Sequence, residues 1–124
     1  MKTDTSTQKN IREYTIDAEN KRLGKICTEA ASYLLGKDST DVTRHTVAPV
    51  FVTIINVSKM DIPDRKKTSE YQSYSGYPGG RNVETLEHLA TRLGYDEVVR
   101  RSIYGMLPNN RLKKPRLKNL KIIV

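Results

Sequence analysis

The chain has 124 residues, with 22 Lys or Arg against 14 Asp or Glu, a formal net charge of +8 and a single cysteine. That length suits one compact domain with enough core to need no covalent staple, and a lone Cys27 excludes an intramolecular disulfide. Apolar runs stop far short of the roughly 18 residues that cross a bilayer, so the composition predicts a soluble protein of a reducing compartment with no membrane partner.

The opening MKTDTSTQKN lacks the apolar core of a signal peptide, and residues 1–10 are expected to form a flexible tail ahead of a single domain over residues 11–124. Tyr14, Ile16 and Ala18 alternate with polar residues, predicting a strand that enters a turn between Asp17 and Arg22. Leu23, Ile26, Cys27, Ala30, Ala31, Leu34 and Leu35 recur at helical spacing, with Gly36 where a left-handed cap is wanted. Cys27 falls on that apolar face, as a small buried hydrophobe would.

VFVTIIN, from Val50 to Asn56, reads as a nearly continuous apolar strand, the kind covered on both faces by helices. A short further strand is expected over Lys59 to Ile62, stopped by Pro63. Asp64 to Arg81, rich in tyrosine, glycine and cations, predicts a loop or a distorted hairpin. Asn82 then caps a helix from about Val83 to Leu93, and Gly94 ends it. Asp96 caps another that runs to about Tyr104 and stops at Gly105, with Val99, Ser102, Ile103 and Met106 on one side and Arg100 on the other. A short basic helix from Asn110 and a final strand, KIIV, close the chain. This alternation predicts an α/β fold: one three-layer α/β/α domain around a mostly parallel sheet of about four strands.

The charge is unevenly placed. Residues 1–62 hold 9 basic and 8 acidic side chains, whereas residues 63–124 hold 13 and 6. Residues 100–124 contain 8 Lys or Arg and no acid, which points to a polyanionic partner or, more blandly, to a basic surface kept for solubility.

Enzyme signatures are missing where they would be expected. Gly36-Lys37 is followed by Asp38 and Gly24-Lys25 by Ile26, so neither forms a phosphate loop, and GYPGG lacks the dinucleotide spacing. His45 and His88 have no Cys or carboxylate at ligand spacing, and no motif pairs either with a nucleophile. The expectation is a protein with no catalytic residues, no metal, no cofactor and no small-molecule substrate. Leu86 to Ile103 imitates a DNA-binding helix-turn-helix, the alternative reading. It puts Arg100 where the second helix should bury an apolar side chain.

Five segments occur together in order: Asp17-Ala18 with Leu23-Gly24-Lys25, Leu35-Gly36-Lys37, Ile54-Ile55-Asn56, SGYPGG from Ser75 to Gly80, and YGMLPNNRL from Tyr104 to Leu112. On these the sequence resembles the bacterial large-subunit ribosomal protein L-thirteen family over about residues 11–124. It departs from that pattern at Tyr14, Ala48-Pro49, Pro63 to Lys66 and Tyr74, and it stops at Val124 where family members commonly continue. The resemblance implies an α/β/α fold and a cytoplasmic, non-catalytic protein of the large ribosomal subunit. It also implies binding to large-subunit ribosomal RNA, contact with neighbouring ribosomal proteins, and support of assembly.

With RNA as partner, affinity should come chiefly from cations that neutralise phosphates. One cluster is Arg65, Lys66, Lys67 and Arg81, framed by Tyr71, Tyr74 and Tyr77, whose rings either stack on bases or pack the loop onto the domain. The other is Arg100, Arg101, Arg111, Lys113, Lys114, Arg116, Lys118 and Lys121. Met106 and Leu107 are expected to dock in the core, Pro108 to stop the helix, and Asn109 and Asn110 to divide capping and RNA contact between them.

Overall fold

The computed structural model describes residues 10–40 and 44–124. The tail expected over residues 1–10 therefore lies, apart from Asn10, outside the described residues.

The most apolar strand takes the centre of the sheet. β2, Val50–Ile55, is flanked on one edge by β1, Arg12–Asp17, and on the other by β5, Leu120–Ile122, with both pairings parallel. Parallel neighbours need a crossover, and α1, Leu23–Leu35, supplies the first. Its expected apolar residues are buried, with Leu35 half-buried at the end, and Gly36 caps it at φ 75°. An added Cβ at Gly36 would lie 2.9 Å from the Cβ of Ala48, so only glycine satisfies both the left-handed backbone and the close approach.

The α/β class and the mostly parallel sheet are as expected, with three differences. The sheet has three strands rather than about four. Val57–Lys59 is a 3-10 turn, and of the short strand expected over Lys59 to Ile62 only a bridge from Asp61 to Arg22 forms. β2 also buries one face alone. Val50, Val52 and Ile54 are fully buried, while Phe51 on the other side is 44% exposed and Thr53 and Ile55 are half-buried. By register, Glu13, Thr15 and Lys121 share that open face. The described helices thus do not cover both faces of the sheet. A continuous apolar run cannot by itself distinguish a strand covered on both faces from one that carries Phe and Ile on a half-open side.

The hairpin expected between Asp64 and Arg81 forms and extends to Thr85, which corrects the helix expected from Val83. A single helical turn, α2 (Asp64–Lys67), leads into an antiparallel hairpin of β3 (Glu70–Tyr74) and β4 (Arg81–Thr85). The helix expected from Val83 begins only at α3, Leu86–Leu93, and its cap is Thr85, whose Oγ1 accepts from the His88 amide at 3.3 Å. Asn82 sits instead in the ladder opposite Ser73. The pairing with β3 overrides the local capping signal.

α4 runs from Tyr95 to Met106, past Gly105, and Leu107 ends it. Leu107 is buried as expected, but Met106 is 43% exposed and outside the core cluster, so only one of the pair docks in the core. α5, Lys113–Lys118, then precedes β5. Val98, Val99 and Ile103 of α4 join Ile26, Leu34, Leu86 and Leu89 in one core cluster.

Gly36→Ala is expected to destabilise the protein by about 1 kcal/mol or more, because it adds a strained positive φ to the 2.9 Å contact. Urea unfolding should show Ala48→Gly, in the same chain, recovering the steric part and leaving the backbone part.

Candidate nucleic-acid interface

The hairpin projects side chains that packing does not claim. Across β3 and β4 only Tyr71 and Glu84 are half-buried, while Tyr74 is 67% and Tyr77 74% exposed. Tyr74 stands opposite Arg81 in the ladder, and the tip is closed by the Gly80 amide donating to the Tyr77 carbonyl at 3.0 Å. The tip needs glycine: Gly76 and Gly79 have positive φ, and a Cβ on Gly80 would lie 2.9 Å from the Tyr77 carbonyl oxygen. The expected alternatives for the tyrosines thus separate. Tyr71 packs against the core, where burial pushes its phenol up, and it lies 6.0 Å from the Arg101 guanidinium. Tyr74 and Tyr77 are free to meet a partner. On α2, Arg65 and Lys66 are exposed, whereas Lys67 pairs with Asp64 at 3.1 Å, which holds its ammonium pKa up.

The anchor of the hairpin is a residue that sequence reasoning missed. Glu84, largely buried, accepts from Arg92 at 2.8 Å and His88 at 3.2 Å and lies 3.5 Å from Arg101. These partners, Arg92 first, hold its carboxyl below the usual range. The signal was a Glu followed at four and eight residues by His and Arg, hidden because the segment read as one helix. Arg101, also paired with Glu97 at 3.4 Å, belongs to this network and not to a free basic face.

The segment after Pro108 divides in the same way. Neither asparagine caps α5, whose N-cap is Leu112 without a side-chain cap bond; Asn110 Oδ1 instead accepts from the Leu112 amide at 3.0 Å in a turn ahead of the helix, and both asparagines are exposed. Arg111, Lys114 and Lys118 are exposed, as is Arg100 on α4 and Lys121 in β5. Lys113 is buried with its Nζ 3.9 Å over the Tyr104 ring, and Arg116 is buried in α5. The outward set is therefore Arg65, Lys66, Arg81, Arg100, Arg111, Lys114, Lys118 and Lys121, none of which makes an ion pair among the described residues.

Little here suits catalysis. Cys27 is buried with its thiol pushed up to about 12 by desolvation, so it is no thiolate at neutral pH. Among the described residues no His, Cys, Asp and Glu side chains gather as a metal site, and no helix is long and apolar enough to cross a membrane. The helix-turn-helix alternative loses its turn: Gly94 alone separates α3 from α4, where that motif uses three or four residues.

The described residues thus form a small basic α/β domain with an exposed tyrosine hairpin and an acid-free C-terminal quarter. The profile of the family described as "Ribosomal protein L13" matches residues 11–123, and the chain belongs to that family. It is 41% identical over 110 residues to the "Large ribosomal subunit protein uL13" of a Synechococcus strain, covering 88% of this chain and 73% of that one. The protein of the same description from a Synechocystis strain is 41% identical over 110 residues, covering 88% and 72%. That of a Prochlorococcus marinus strain is 39% identical over 114 residues, covering 91% and 75%. The family is structural and non-enzymatic.

A depressed carboxylate stabilises the fold above its unfolded pKa and loses that contribution as pH falls through its lower folded value. Glu84→Gln should therefore be less stable than the parent at neutral pH, and the gap should close below the ordinary carboxylate range. Thermal unfolding of both proteins between pH 7 and pH 2 checks this; a gap independent of pH would remove the ionic role.

Proposed function

We propose that the protein binds large-subunit ribosomal RNA through two outward surfaces and thereby supports assembly of the large ribosomal subunit. One surface is the hairpin with α2: Arg65, Lys66, Tyr74, Tyr77 and Arg81. The other is the region after Pro108, with Asn109, Arg111, Lys114 and Lys118, together with Arg100 on α4. The observation that carries the reading is the set of exposed cations without ion pairs among the described residues, beside tyrosines that no packing explains. Family membership supports RNA and neighbouring ribosomal proteins as the partners, and a cytoplasmic location within the subunit.

Each part has a physical task. Cations on phosphates displace counterions and supply salt-dependent affinity. Tyr74 and Tyr77 offer flat faces to unpaired bases at the end of a hairpin. Asn109, with its amide uncommitted to capping, offers both a donor and an acceptor to a ribose or base edge. Lys113 works from inside, tying α5 to α4 through Tyr104.

Replacing Arg111 and Lys114 together by Gln should flatten the log-log salt slope of ribosomal RNA binding by about 1 to 2. Lys113→Gln should leave that slope alone and instead lower stability by about 1 kcal/mol, through the lost cation–π contact. Filter binding across salt, with urea unfolding beside it, separates the two. An unchanged slope in the double variant would remove this surface from the interface.

A further inference from the structure

Arg116 differs from every other cation in the basic segment. It is 2% exposed, and its Nε and Nη1 have no hydrogen-bond partner among the described residues. It lines a cavity of about 500 Å³ together with Lys37, Arg44, Asn110, Leu107 and Pro108. Among the described residues the lining contains no carboxylate. A guanidinium keeps its proton at any physiological pH, and burying it with unmet donors is costly unless an anion with oxygen acceptors meets it. Lys37 follows the cap of α1, Arg44 lies before β2, and Arg116 comes from α5, so three separate parts of the chain bring positive charge to one cavity.

We propose that this cavity takes a single phosphate of an RNA strand, with the sugar or base attached to it resting on Leu107 and Pro108. The volume lies within the range of clefts that hold small ligands, roughly 300 to 1,000 Å³, which accommodates one nucleotide and not a helix. A phosphate has oxygens for several donors at once, and Arg116 meets it already desolvated, so the contact is stronger than one made by an exposed lysine. Arg111 and Lys114, outward on the same segment, would carry the strand on either side of the seated nucleotide. The inference rests on the RNA-binding reading above and adds to it a fixed point: one nucleotide held in a cleft, where the surrounding cations hold the backbone loosely.

The test is a titration of the full isotopically labelled chain, followed by NMR, with inorganic phosphate in one arm and a single-stranded RNA oligomer in the other. The oligomer should shift the Arg116 Nε–Hε signal and the amides of Leu107 and Asn110. Arg116→Met should abolish those shifts, weaken the oligomer by about fivefold or more, and lower the salt slope by about 0.7, one single-strand phosphate. Because Arg116 is in the fold, Arg44→Gln provides a second variant at an exposed position, expected to weaken the same shifts. Shifts with inorganic phosphate but none with RNA would overturn the RNA assignment. An oligomer that binds while the three cavity signals stay still would overturn the cavity and leave the exposed surfaces intact. A chain that binds no RNA at all would overturn both readings.

Discussion

Val50, Val52 and Ile54 set three branched apolar side chains on one face of a strand whose two edges are both filled, by β1 on one side and β5 on the other. The second pairing joins residues about seventy positions apart, with the Val52 amide donating to the Asn119 carbonyl at 3.0 Å and the Ile123 amide to the Ile54 carbonyl at 2.8 Å. Beyond Leu107 the chain is basic and carries no acid, so its cations repel one another, and the β2–β5 pairing is what returns its end to the core sheet. The central strand supplies the fixed edge against which that segment folds.

From that edge the remaining positions follow. β5 fixes α5, whose inward residues, Lys113 and Arg116, enter the domain while Lys114 and Lys118 stay outside. Lys113 finds the Tyr104 ring, so its charge is met by an aromatic face instead of a carboxylate. One turn away on α4, where Arg101 meets it, Glu84 performs the complementary task. One largely buried carboxylate gathers His88, Arg92 and Arg101 and roots a hairpin whose outer residues are nearly all exposed. A two-stranded hairpin is marginal alone; this one is held at its base by Glu84 and exposed at its tip.

Much of this was legible in the sequence because local and tertiary preferences agree there. α1 announces itself by spacing and by Gly36, and β2 by its apolar run. Reading failed where two local signals competed. Arg81 to Thr85 alternates like a strand but contains an asparagine before an apolar periodic stretch, and only the partner strand β3 decides between them. The candidate site was legible as a set of residues and not as a surface. Tyr71, Tyr74 and Tyr77 look alike in sequence, yet one packs against the core; eight cations look alike, yet Lys113 and Arg116 point inward and Arg101 is paired. Burial of a charged residue in a six-residue helix leaves no periodic trace strong enough to read.

A preformed surface for the proposed RNA partner requires the basic segment to be folded in the free protein. Amide hydrogen exchange of the free protein tests it directly. Opening free energies should be nearly equal for Val52 and Ile123, and both close to that of global unfolding, because each amide is held in the same β2–β5 pairing. Protection at Val52 and Ile123 near the global value would support a preformed surface. Exchange of Ile123 and of residues 113–118 at unfolded-chain rates, with the rest of the core protected, would contradict it and make the surface a product of binding.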